Sequence, residues 1–158
     1  MTPFEAIRIL HIIAGIAGLV LGPVAMAAAK RPGVHTRAGE AYHWVMLAVC
    51  AFAALLAFLD WGRLWWFLLI AAGSYAFALV GYVAAKRRWP GWIAAHISGQ
   101  GGSYIAMTTA LLVVNWRSLT GTAGMSSAIP WILPTLVGTP VVAWVNSQVR
   151  LGRRPRLP

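Results

Sequence analysis

The sequence predicts an all-α membrane protein, a polytopic bundle of about five transmembrane helices. Hydrophobic residues occupy 59% of the 158 positions and charged residues only 10%, whereas a soluble domain is roughly a quarter charged. Five stretches reach the length of roughly 20 apolar residues that a bilayer crossing requires. Because 3 acidic and 13 basic residues cannot cover a water-soluble domain, the composition excludes that class.

Short connections rich in glycine, proline and charge separate the predicted spans, which are residues 4–29, 40–60, 64–85, 91–116 and 129–149. The first span ends at Lys30-Arg31-Pro32-Gly33, and Asp60-Trp61-Gly62-Arg63 predicts a tight turn. The longest connection runs from Arg117 to Ala128. No polar linker or internal repeat divides the chain, so residues 1–158 are predicted to form one transmembrane helical domain.

Basic residues are distributed unequally between the two sides of this predicted bundle. One side collects Lys30, Arg31, Arg37, Lys86, Arg87, Arg88, Arg150, Arg153, Arg154 and Arg156; the other collects Arg8, Arg63 and Arg117. Since Lys and Arg are enriched in cytoplasmic loops, this asymmetry predicts an outside N-terminus and a cytoplasmic C-terminus. Tryptophans near the predicted interfaces agree with it: Trp61, Trp65, Trp66, Trp89, Trp92, Trp116 and Trp131.

The net charge of +10 would suit a nucleic-acid partner, but the placement of the basic residues indicates that they determine membrane topology. A nucleic-acid-binding protein places its Lys and Arg residues on one face or along a groove. Here the Lys and Arg residues lie between apolar stretches and at the C-terminal end. The C-terminal bases are therefore predicted to contact anionic lipids of the inner leaflet or an acidic partner; they are Arg150, Arg153, Arg154 and Arg156.

Four histidines are the main candidates for a site, because ionisable side chains inside a bilayer are costly. His11 shares a helix face with Gly15, Gly18 and Gly22, which directs it towards other helices rather than lipid. A hydrogen bond to a neighbouring helix and a role as a ligand or proton relay both remain open for His11.

The other three histidines fall on the predicted cytoplasmic side. His35 lies in the first connection, His43 about one turn into the second helix, and His96 more than a turn into the fourth. Similar depths of His43 and His96 allow a haem b with two axial histidines. His11 joins them as a candidate for haem or quinone binding, and His35, His43 and His96 are the candidate zinc ligands. Histidines that are structural or that bind lipid headgroups are the remaining alternative.

No catalytic residue is predicted. The three carboxylates, Glu5, Glu40 and Asp60, fall on opposite sides of the predicted topology, which excludes a paired-carboxylate site within one chain. No serine, histidine and acid combination identifies a hydrolase either, so the chain is interpreted as leaning away from an enzyme.

Several motifs together resemble the bacterial family described as "domain of unknown function 2306". They are Leu10-His11 with Ala14-Gly15, Leu21-Gly22-Pro23, His35-Thr36-Arg37-Ala38-Gly39, His96-Ile97-Ser98-Gly99, Gly102-Ser103-Tyr104-Ile105-Ala106, Thr109-Ala110, Val114-Asn115, Trp131-Ile132-Leu133-Pro134-Thr135 and Gly138-Thr139-Pro140. The resemblance implies a small helical protein of the bacterial cytoplasmic (inner) membrane and carries no activity with it. His11, His35, Arg37, Gly39, His96, Ser103 and Tyr104 match its motif positions, whereas Glu40 and His43 depart from them.

Three classes of function follow from these observations. The leading one is an integral membrane protein without enzymatic activity, an accessory subunit packed against other membrane protein subunits. The alternative is a redox protein that binds haem b or quinone through inward-facing histidines. A small transporter is a further alternative, although no repeat or paired unwound helices support it.

Overall fold

The computed structural model describes residues 1–124 and 127–152, and every regular element within them is an α-helix. The helices are α1 (Pro3–Ala27), α2 (Val34–Leu59), α3 (Trp61–Arg87), α4 (Trp92–Thr120) and α5 (Ile129–Arg150). The all-α prediction and the existence of five helices are confirmed. The first helix begins with a capping box, in which Thr2 Oγ1 accepts from Glu5 N and the Glu5 carboxylate accepts from Thr2 N.

Three helix boundaries differ from the prediction by more than two residues. The second helix begins at Val34 rather than at residue 40, so the placement of His35 in a connection was wrong. The tight turn predicted at Asp60-Trp61-Gly62-Arg63 is present only at Asp60, because α3 already begins at Trp61. The fourth helix continues to Thr120, inside the predicted long connection.

The physical reason is that hydropathy marks where a helix enters an apolar layer, whereas backbone chemistry marks where the helix begins. The second helix starts directly after Gly33, whose φ of 132° is a conformation that side chains rarely adopt. Residues 34–39 are helical although several are polar, because no proline among them interrupts the backbone hydrogen bonding. At the α2–α3 junction, an ion pair of 3.5 Å joins Arg63 to Asp60.

The chain divides into two compact units, Met1–Leu79 and Val80–Pro158. In the first unit α1 packs against α2, and the buried residues include two glycines of α1, Gly18 and Gly22. On α2 the buried residues include Tyr42 and Met46, which are 3% and 1% exposed. In the second unit α4 packs against α5. One continuous domain over residues 1–158 stays a prediction.

Four of the helices that the structure describes are long and apolar enough to cross a membrane, namely α1, α2, α3 and α5. The most apolar windows of α1 and α5 have only 11% and 6% of their residues buried within the protein. The surface of these helices is correspondingly apolar, with Ile13 and Leu136 59% and 64% exposed. Exposing such large apolar surfaces to water is unfavourable, whereas contact with lipid is not. The fold is therefore that of a helical protein suited to a membrane.

Candidate functional site

His11 joins α1 to α2 through the backbone of the second helix. Its Nδ1 lies 3.0 Å from the carbonyl oxygen of Val49. A carbonyl only accepts, so Nδ1 carries the hydrogen and the ring lone pair lies on Nε2. The sequence placed His11 on the glycine stripe of α1, and Gly18 and Gly22 of that stripe are buried. The structure brings the histidine and its helix neighbour together as a direct hydrogen bond.

His35 joins the same two helices at the opposite end of the hairpin. Its Nδ1–H donates to the carbonyl oxygen of Ala25 over 2.8 Å. Lys30 also donates to Ala25 O, over 3.1 Å, and to Met26 O. Carbonyls in the last turn of a helix lack intrahelical donors, so His35 and Lys30 together cap the end of α1. Desolvation at this position lowers the pKa of Lys30 from its ordinary value.

The two histidine bonds are reciprocal, since each helix donates one and accepts one. His11 and Ala25 are fourteen residues apart on α1, and His35 and Val49 are fourteen apart on α2. A rise of about 1.5 Å per residue places the two bonds about 21 Å apart along the hairpin. Two bonds so far apart fix the register and the antiparallel alignment of α1 and α2.

His43 occupies a different environment, the buried face of α2. It is 3% exposed, and its ring centroid lies 5.8 Å from that of Tyr75 and 5.3 Å from that of Trp44, the latter edge-on. Cys50 lies on the same helix, 7% exposed, as a free thiol. The surroundings of His43 are therefore largely aromatic and apolar.

His96 joins α4 to the last part of α3 within the second unit. Its Nδ1–H donates to the carbonyl oxygen of Gly81 over 2.8 Å. The two helices approach closely there, because a Cβ added at Gly81 would lie 2.8 Å from the backbone nitrogen of Gln100. Ser103 is fully buried two turns further along α4 and donates to Gln100 O. His96, Gln100 and Ser103 thus form a line of polar side chains along α4.

The next contacts of α4 are with α5, which runs antiparallel to it. Asn146 Nδ2 donates to Ser98 Oγ over 3.0 Å. A Cβ added at Gly101 would lie 2.5 Å from Val142, and one added at Gly138 would lie 2.5 Å from Ile105. The three pairs follow one another in opposite directions along α4 and α5, as antiparallel packing requires. Two glycines and one polar pair therefore define this interface.

The histidines of the predicted cofactor and metal sites are distributed over both compact units. Within residues 1–124 and 127–152, no group of three or more histidine, cysteine or carboxylate side chains is placed to hold a metal ion. His35 and His43 lie in the first compact unit and His96 in the second. The zinc set of His35, His43 and His96, and the haem or quinone set of His96, His43 and His11, stay predictions.

The predicted lipid or partner contact at the C-terminal end is only partly visible. Arg150 is the last residue of α5. The other three arginines of that prediction, Arg153, Arg154 and Arg156, lie outside the described residues.

Sequence reasoning missed the acceptors of these histidines, above all Gly81 and the end of α1. A usable signal for Gly81 exists in the sequence. Counting outward from the Pro90-Gly91 turn pairs the first residues of α4 with the last residues of α3, as in any antiparallel hairpin. A glycine at that level is the residue type that permits the close approach.

These features define a class of helical protein. Four of its described helices are apolar enough to span a membrane, and three of its histidines hydrogen-bond one helix to another. Comparison with protein-family models, with curated proteins and with solved structures gave no match. The resemblance to the "domain of unknown function 2306" family therefore stays an expectation.

Proposed function

We propose that the protein is an integral protein of the bacterial cytoplasmic membrane in which all five helices span. The N-terminus is outside, and the C-terminus is in the cytoplasm. The bases between the helices support this orientation through their unequal distribution. The membrane-spanning placement of α4 needs separate support, because α4 is not among the four helices that are long and apolar enough by composition.

The polar side chains of α4 are satisfied largely by the helix itself, which supports its placement in a membrane. Thr108 and Thr109 donate to carbonyls one turn earlier, over 2.8–3.0 Å, and Asn115 donates to Leu111 O over 2.8 Å. His96 and Ser98 bond to α3 and α5. An unsatisfied polar group in hydrocarbon costs several kcal/mol, and these bonds avoid that cost.

Thiol labelling of intact cells tests the span of α4 directly. In a Cys50→Ala background, Thr122→Cys probes the connection after α4 and Arg88→Cys probes the connection before it. With an impermeant reagent, we expect labelling at position 122 and none at position 88 until the cells are opened. Equal accessibility of the two positions would mean that α4 does not cross, and inverted accessibility would reverse the proposed orientation.

Within the membrane, the chain acts as an accessory subunit of a larger complex rather than as an enzyme. The observation that carries this proposal is the use of His11, His35 and His96 as hydrogen-bond donors to backbone carbonyls. These are the side chains that would otherwise suggest chemistry, and each has a packing role. The broad apolar faces of α1 and α5 provide surface for lateral contact with other subunits.

Extraction in a mild detergent tests this subunit role. We expect a particle that contains a second type of chain and exceeds the 17.0 kDa of one copy. Ile16→Trp on α1 and Leu136→Trp on α5 enlarge outward side chains that are 58% and 64% exposed. Lipid accommodates the added bulk, whereas a protein interface does not, so at least one variant should lose the second chain. A particle that never contains another chain would contradict the proposal.

A second candidate function, haem b or quinone binding, is favoured by the tautomer of His96. Its Nδ1–H bond to Gly81 O leaves the lone pair on Nε2, and ligating histidines are commonly held by such a carbonyl bond. If the chain binds haem through His96, protein from its native membrane shows a Soret band that His96→Ala abolishes. If His96 is structural, no band exists, and His96→Ala lowers the free energy of unfolding by about 1–3 kcal/mol.

A further inference from the structure

The α1–α2 turn, residues 28–33, contains a surface cavity that the histidine and membrane arguments do not use. Its volume is about 360 Å³, and it is lined by Ala28, Ala29, Arg31, Pro32, Gly33 and Val34. Arg31 is the one charged residue among those that line it, and the others are small or apolar. A cavity of this size is ample for a phosphate group.

The two consecutive bases of this turn have different roles. Lys30 donates to the end carbonyls of α1 and offsets the partial negative charge there. The Arg31 side chain has no hydrogen bond or ion pair within the described part of the chain. The sequence supplies only 3 acidic residues against 13 bases, so few counter-ions for Arg31 exist in the protein. The exposed Arg31 side chain is therefore available to an anion from outside.

The start of α2, which borders the cavity at Gly33 and Val34, also suits an anion. Gly33 provides no side-chain cap for α2, and the first turn of that helix contains no acidic residue. Among the described atoms, the backbone N–H groups of Val34 and Thr36 have no acceptor, as is usual for the first turn of an uncapped helix. The cavity, Arg31 and these backbone donors thus belong to one short segment of the chain, residues 28–36.

We propose that this cavity binds the phosphate of an anionic lipid headgroup, with Arg31 as the principal contact. The turn joins α1 and α2, which are both apolar enough to span, so it lies at the level where lipid phosphates are concentrated. On the proposed orientation this level is the anionic inner leaflet. The inference rests on the membrane placement proposed above and is independent of the subunit role.

Native mass spectrometry of the detergent-solubilised full chain tests the site, with phosphatidylglycerol, phosphatidylcholine and inorganic phosphate as separate probes. We expect phosphatidylglycerol to bind more tightly than phosphatidylcholine, and Arg31→Gln to weaken its binding about fivefold, the effect of one base at an anionic surface. Arg88→Gln is the charge-matched control on the other basic turn. The Arg88 guanidinium already lies over the Trp92 ring, 5.5 Å from its centroid, and is expected to contribute little.

A second variant separates loss of binding from loss of folding. Val34 is 63% exposed, and Val34→Asp places a carboxylate at the start of α2, where it favours the helix but repels phosphate. We expect unchanged or higher stability together with weaker phosphatidylglycerol binding. Equal losses from Arg31→Gln and Arg88→Gln would overturn the site in favour of general electrostatics. Inorganic phosphate binding as tightly as the lipid, with the same Arg31 dependence, would overturn the lipid as its occupant. Failure of the membrane placement would appear separately, in the thiol labelling.

Discussion

Gly81→Ala is expected to lower the free energy of unfolding by about 1–3 kcal/mol relative to a matched glycine substitution elsewhere on α3. The added Cβ would lie 2.8 Å from the backbone nitrogen of Gln100, and real Cβ contacts are essentially never that short. A backbone atom cannot rotate away, so α3 and α4 must separate locally. The separation would also stretch the bond between His96 Nδ1 and Gly81 O.

The matched substitution is Gly73→Ala, on the same helix. A Cβ at Gly73 would meet nothing within 4 Å, so the change retains only the intrinsic helix preference of alanine, about 0.5–1 kcal/mol in its favour. Unfolding in mixed micelles with an increasing fraction of dodecyl sulfate measures both variants. If Gly81→Ala were as stable as Gly73→Ala, the close approach of α3 and α4 in the second unit would be wrong.

Removing both hairpin bonds through His11→Ala and His35→Ala is expected to cost about 2–4 kcal/mol in total. Each bond contributes about 1–2 kcal/mol, including the packing lost with the ring. The two sites lie about 21 Å apart along the helices and share no partner, so their effects should add. The same micelle titration measures the two single variants and the double variant.

The control for this pair changes the neighbouring outward positions. Ile12 is 51% exposed and Thr36 is also exposed, so Ile12→Ala with Thr36→Ala should alter stability by no more than about 0.5 kcal/mol. A double histidine variant as stable as this control would show that the reciprocal bonds do not hold the α1–α2 hairpin. Strong non-additivity would instead show that the two ends of the hairpin are coupled.

The sequence by itself determined the class of the fold and the approximate position of every helix. The fifth predicted span, 129–149, differs from Ile129–Arg150 by one residue because apolar composition and a clear C-terminal basic segment coincide there. The first span differs from Pro3–Ala27 by only one or two residues at each end. Length and apolarity are local properties, so a linear sequence suffices to read them. The start of α2 was not predicted, because residues 34–39 are helical although they precede the apolar stretch from which the span was predicted.

Only the tertiary structure decided what each histidine contacts. The sequence could place His11 on a glycine face, but the choice of Val49 O depends on the register between α1 and α2. It could place His96 more than a turn into the fourth helix, but the choice of Gly81 O as acceptor depends on how closely α3 approaches α4. The acceptors are backbone carbonyls, which every residue carries, so side-chain identity does not distinguish them. Register arises from the packing of whole helix faces, and that is why these partners appear only in three dimensions.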